Sequence, residues 1–135
     1  MKTNRLASIL GLALVLALAG CATPPTAQEL AAADYGPPPI AFPEKIKDFM
    51  ELRLKDPSSA QYRFDNLPTK MWSKAGPLFG GGTMYGWRVD VLINAKNELG
   101  GYVGYQQYGF LFRDGRIIAY NERSDLGLNT WMPVR

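Results

Sequence analysis

The chain contains no histidine and only one cysteine, Cys21, among its 135 residues. These two shortages remove several chemistries together. Zinc sites draw mainly on thiolate and imidazole ligands, so no metal site is expected. Ser-His-Asp and Cys-His catalysis lack their base, and no residue stands out as catalytic. A lone thiol leaves no disulfide within the chain, so a hydrophobic core has to hold the fold. Gly80-Gly81-Gly82 is followed by Thr83 and Met84 rather than by Gly-Lys-Ser/Thr, which excludes a P-loop. Long apolar runs are also missing. The longest, Leu6 to Ala19, has about 14 residues where a membrane-spanning helix needs roughly 20.

What is present begins with a short positive start, Lys2 and Arg5, ahead of that run. Its length and flanks fit a secretory signal better than a permanent span. The run ends in Leu18-Ala19-Gly20-Cys21, which resembles the lipobox of bacterial lipoproteins. The resemblance implies cleavage between Gly20 and Cys21, acylation of the Cys21 thiol by a palmitate-type lipid, and acylation of the new amino group. That covalent lipid is the only non-protein group expected, and no cofactor is. Ala22 after the cysteine, rather than Asp, implies the outer membrane under the sorting rule of enteric relatives, with the folded part facing the periplasm. The overall charge of +3 includes Lys2 and Arg5; without them 13 basic residues face 12 acidic ones. Nucleic-acid binding thereby loses its main electrostatic support.

Three segments are expected. The lipobox resemblance implies that residues 1–20 are a signal peptide and that residue 21 is the lipidated Cys21. Residues 21–41 are read from composition as a Pro/Ala-rich tether carrying Pro24, Pro25, Pro37, Pro38 and Pro39. Residues 42–135 form a single α+β domain, although Tyr35 and Ile40 are apolar enough to dock on it. Within that domain a helix is predicted from Pro43 to Lys55, with Ile46, Phe49, Met50 and Leu54 on one face. Asp56-Pro57 ends it. Period-two patterns then predict strands at Gln61–Phe64, Met84–Asn94, Tyr102–Phe112 and Arg116–Tyr120, the last pair joined by a two-residue turn at Asp114-Gly115. Residues 65–83 are predicted as a long connection. The expected architecture is one N-terminal helix packed on a small antiparallel meander. Trp72, Phe79, Trp87 and Phe110 are expected in its core, with Trp131 docking back.

Two stretches resemble signatures of small bacterial envelope lipoproteins. One is Leu54-Lys55-Asp56-Pro57-Ser58-Ser59-Ala60-Gln61-Tyr62-Arg63-Phe64. The other is Asn94-Ala95-Lys96-Asn97-Glu98-Leu99-Gly100-Gly101-Tyr102-Val103-Gly104-Tyr105. With Asp114-Gly115-Arg116 they cover most of residues 44–120. The resemblance implies an envelope location and kinship of fold, and it brings no activity. A cysteine often occupies the position of Asp90 in that family, so a thiol-based role does not transfer.

The second stretch supplies the candidate binding residues Asn94, Lys96, Asn97, Tyr102 and Tyr105. Amides and ring faces together suit a glycan or peptide. The same Asn and Gly residues also suit a hairpin loop that needs positive φ for its own geometry. Ser58 and Ser59 read mainly as turn chemistry after Asp56. Asp90, a charge inside a strand, has to face water or pair with Arg88 or Arg63. A role beside a second carboxylate such as Asp65 depends on their separation in space.

Three functional readings remain open. The leading one is a non-enzymatic accessory or interaction protein, held to the membrane by its lipid and meeting an envelope protein or the peptidoglycan. A second is a peptidoglycan- or glycan-binding domain, with hydrolysis as its less favoured variant. It requires Asp90 and a second acid to line one cleft beside an exposed Tyr105. A third is a small lipoprotein subunit of a secretion or conjugation assembly.

Overall fold

The computed structural model describes residues 23–75, 81–122 and 131–134. The chain divides between Ala32 and Ala33 into two units. The first contains helix α1 (Ala27–Ala32), inside the stretch expected to be a tether. Its cause is local. The Thr26 N–H donates to Glu29 Oε2 at 2.7 Å, and the Glu29 N–H donates back to Thr26 Oγ1 at 3.2 Å. This reciprocal capping box satisfies backbone donors that a helix start otherwise leaves open. The described residues therefore hold two α-helices, where the sequence pattern predicts one.

The second unit is an α+β fold. Helix α2 (Phe42–Glu51) leads through a 3-10 turn, η1 (Pro57–Ser59), into six strands: β1 (Gln61–Arg63), β2 (Thr69–Lys74), β3 (Thr83–Asn94), β4 (Gln106–Arg113), β5 (Arg116–Glu122) and β6 (Met132–Pro133). All pairings are antiparallel, in the order β1-β3-β4-β5-β6, and β2 also pairs with β3. The expected meander is thus present from β3 to β6, with an added edge.

Helix α2 begins as predicted, with Pro43 in its first turn, and ends four residues early. The N–H groups of Arg53 and Leu54 both reach Met50 O at 2.9 Å, which tightens and closes the last turn. Arg53 folds back so that its guanidinium lies 3.5 Å from the Phe49 ring centroid and donates to Phe49 O at 2.9 Å. A free carbonyl at the helix end is satisfied by that side chain. Leu52 points to solvent.

Ile46 and Met50 of α2 are buried against Val89, Val91 and Ile93 of β3 and Tyr108, Phe110 and Phe112 of β4. The alternation along β3 and β4 places these residues on one sheet face, as the sequence predicts. Each such side chain contributes about 1.5–3 kcal/mol by leaving water. On the opposite face a smaller cluster joins Leu111, Ala119 and Trp131. Trp131 docks there, only 8% exposed. Trp87 packs against the main core, and Phe79 lies outside the described residues.

The predicted strands shift by one or two residues at several ends, and two departures from expectation are larger. Strand β2 occupies part of the predicted connection, pairing Thr69–Lys74 with Thr83–Arg88. Pro68 before it and glycines after it mask a short edge strand in the sequence. Strand β4 starts at Gln106 rather than Tyr102, because Gly104 takes φ +89° and turns the chain out of the ladder.

Segment Asp34–Gly36 belongs to the second unit. The Trp87 Nε1–H donates to Gly36 O at 2.9 Å, Tyr35 meets Tyr85 edge-on at 5.7 Å, and Asp34 pairs with Arg113 at 2.9 Å. Ile40, in contrast, is 83% exposed and does not dock.

Strands β1 and β2 lie end to end along the same edge of β3, opposite Leu92–Asn94 and Thr83–Arg88. Between them Phe64–Pro68 has to span what Val89–Val91 spans on β3. The edge chain has surplus length and leaves the ladder, and Pro68 lacks the N–H to rejoin it early. Such irregularities re-aim side chains and often border functional sites.

Candidate functional site

The structure brings the two sequence signatures together. The Tyr102 hydroxyl donates to Ser59 O at 3.0 Å, Lys96 Nζ lies 4.0 Å from Asp56, and Lys55 pairs with Glu98 at 2.9 Å. Asn94 Nδ2 donates to Gln61 Oε1 at 3.1 Å. Hairpin loop and helix–strand corner therefore brace one another.

Inside the hairpin the candidate residues are engaged with the loop itself. Asn97 Oδ1 accepts from the N–H groups of Leu99 and Gly101, at 3.0 and 3.1 Å. Asn94 Oδ1 accepts from the Gly104 N–H at 3.0 Å. Lys96 and Tyr102 face each other across an isolated bridge, the ammonium 5.4 Å from the ring centroid. What the loop presents outward is apolar surface: Leu99, Val103, Tyr102 and Tyr105 are all exposed. Tyr105 stands apart from the bracing contacts, with the Arg63 guanidinium 5.4 Å from its ring centroid.

The corner is held by its own polar groups. The Ser58 hydroxyl donates to Asp56 Oδ1 at 2.8 Å, and the Ser59 hydroxyl donates to Asp56 O at 3.1 Å. Hydrogen bonds from Ser58 and Ser59 hold the Asp56 carboxyl below the ordinary carboxylate range. Between this corner and α2 lies a cleft of about 530 Å³, lined by Lys47, Asp48, Glu51, Ser58 and Tyr62 among others. The Tyr62 ring stacks on Phe64, and burial followed by the nearby Glu51 charge raises its phenol pKa.

A second hollow, about 210 Å³, opens where the edge chain leaves β3. Arg63, Asp65 and Asn66 line it from the departing edge, Asp90 and Leu92 from β3, and Gln107 from β4. Arg88 forks onto Asp90, its Nε 2.8 and 2.9 Å from the two carboxylate oxygens. The same guanidinium lies 5.8 Å from the Trp131 ring centroid. Arg63 pairs with Asp65 at 3.4 Å. Asp90 and Asp65 thus share one hollow, and Tyr105 stands exposed beside its Arg63 wall.

Of the predicted residues, Asn94, Lys96, Asn97 and Tyr102 shape the hairpin, and Tyr105 stands beside Arg63 of the second hollow. Gly20 and Cys21 lie outside the described residues. Asn66, Gln107 and the α2 residues Lys47, Asp48 and Glu51 carried no sequence signal of function. Asn66 and Gln107 sit far apart in the chain, and the helix residues read as an ordinary solvated face. Among the described residues no group of three Asp, Glu, His or Cys is placed to hold a metal, and no helix is long and apolar enough to cross a membrane. No family model, curated protein or solved structure matches the chain, so the two signatures are understood from their own contacts.

Proposed function

We propose that this chain is a lipid-anchored, non-enzymatic interaction protein of the bacterial envelope, held at the outer membrane with its folded unit in the periplasm. The observation that carries the reading is Leu18-Ala19-Gly20-Cys21 at the end of a short apolar run behind Lys2 and Arg5. Acylation at two positions of Cys21 exceeds the single-chain level at which membrane binding is only marginal. The second unit starts at Ala33, and α1 takes up part of the link. In support of a non-enzymatic role, both acids of the polar hollow are already bonded to an arginine of their own segment. That arrangement suits recognition better than proton donation.

Mass analysis of protein purified from membranes tests this reading. The expected product begins at Cys21 and carries fatty acyl groups. A product with an unmodified residue 21 overturns the anchoring and the location together.

A specific observation favours contact with cell-wall glycan as a second reading: Asp65 and Asp90 line one hollow beside the exposed Tyr105. Retention on purified sacculi is the test. Wild type is expected to be retained and Tyr105→Ala to be depleted, while equal retention of the two removes the reading.

A further inference from the structure

We infer that the hollow bounded by Arg63, Asp65, Asn66, Asp90 and Gln107 binds a single uncharged sugar ring, with Tyr105 at its margin. The inference rests on the cell-wall reading above and gives it a site and a ligand chemistry. Three observations carry it. The first is charge. Arg63 is matched by Asp65 and Arg88 by Asp90, so the lining is balanced and favours neither an anion nor a cation. The second is the type of group. Guanidinium, carboxylate and carboxamide are all planar and bear two hydrogen-bonding atoms side by side. Such groups match the neighbouring hydroxyls of a sugar, which donate and accept together. The lining carries both kinds of group, with carboxylates to accept and amide and guanidinium N–H groups to donate. The third is shape. At about 210 Å³ the hollow lies below the roughly 300 Å³ at which drug-sized sites begin, so it takes one ring rather than a folded chain. Tyr105 is 43% exposed beside Arg63, and its ring offers an apolar face to the C–H side of a neighbouring sugar unit.

The hollow also has a structural origin that sheet formation alone does not require. It exists because Phe64–Pro68 carries surplus residues and pulls the edge away from Val89–Val91. A straight edge strand would pair with β3 across Val89–Val91 and close that gap in the edge.

Saturation-transfer NMR on the full-length chain in detergent tests the inference, with a tetramer of N-acetylglucosamine, a tetramer of glucose and the dipeptide D-alanyl-D-alanine as probes. Transfer to at least one of the two sugars is expected, with affinity at least tenfold weaker in both Asn66→Ala and Gln107→Ala. Both positions lie outside the main core, and unchanged thermal unfolding of the variants confirms intact folds. Transfer to the dipeptide alone, to no probe, or to sugar equally in wild type and both variants overturns the site. Failure of the two readings is separable. Sugar binding without sacculus retention leaves this site standing and removes the cell-wall contact. Sacculus retention that survives Asn66→Ala and Gln107→Ala, with no sugar binding, removes this site alone.

Discussion

Gly109 in β4 occupies a slot that only a residue without a side chain fills. A Cβ there would collide with Asn121 Oδ1 and come within 3.1 Å of the Trp131 ring. Asn121 is itself buried, so neither neighbour yields easily. Gly109→Ala is expected to cost about 1–3 kcal/mol, the usual penalty for overpacking a filled interior. Gly101→Ala, where the nearest atom outside the chain neighbours is 3.7 Å away, is expected to change little. Denaturant midpoints of the two variants check the contrast. At Asn97 the loss is of two hydrogen bonds in an exposed loop. Asn97→Ala is expected to cost about 1 kcal/mol and to speed amide exchange at Leu99 and Gly101. The turn chemistry of Asn94 and Asn97 was legible in the sequence, since both residues suit a hairpin loop. The importance of Gly109 was not, because Asn121 and Trp131 reach it only after the sheet has formed. For the same reason the hollow was half legible. Asp90, Arg88, Arg63 and Asp65 stood out as charges in or near strands, while Asn66 and Gln107 gained meaning only from their meeting.

Elements were legible where one rule governed them. The start of α2 around Pro43, in its first turn, the Asp114-Gly115 turn and the alternation of β3 each follow from a single local constraint. Asp114 and Gly115 both take positive φ, +51° and +73°, as a two-residue hairpin of this hand requires. Elements were illegible where two rules competed. Strand β2 lies between Pro68 and a run of glycines, whose turn preference outweighs a brief alternation. Helix α1 is too short for periodicity to register, yet the Thr26 to Glu29 spacing could have revealed it. Its stability should depend on that cap. Thr26→Ala is expected to lower helical population across Ala27–Ala32 by an amount corresponding to about 1 kcal/mol, measured by backbone chemical shifts. The same substitution should leave the shifts of β3 and β4 unchanged.

For the whole molecule, pH acts from two sides. Burial first, and then the hydrogen bond to Glu122, pushes the Tyr108 phenol well above its ordinary value. Tyr62 is raised as well, by burial and by Glu51. In the unfolded chain both phenols release their protons near pH 10. Above that pH the folded state binds more protons than the unfolded one, so stability falls as pH rises. Tyr108→Phe is expected to flatten this fall, read as a smaller drop in melting temperature between about pH 9 and pH 11. At the acid end the lowered Asp56 works in the opposite direction. Its contribution is present at neutral pH and is lost as pH falls below the ordinary carboxylate range. Asp56→Asn should remove that dependence, visible as a weaker pH slope of unfolding below about pH 4. The attachment of Asp34–Gly36 to Trp87, Tyr85 and Arg113 has a mechanical meaning. Any tension on the chain from its N-terminal side enters the fold at β3 and β4 before it reaches α2. Those two strands exchange the longest ladder in the sheet, from Trp87–Phe112 to Ile93–Gln106. Load is taken up by that ladder, and the helix, the corner and the hairpin loop lie downstream, out of the path of the pull.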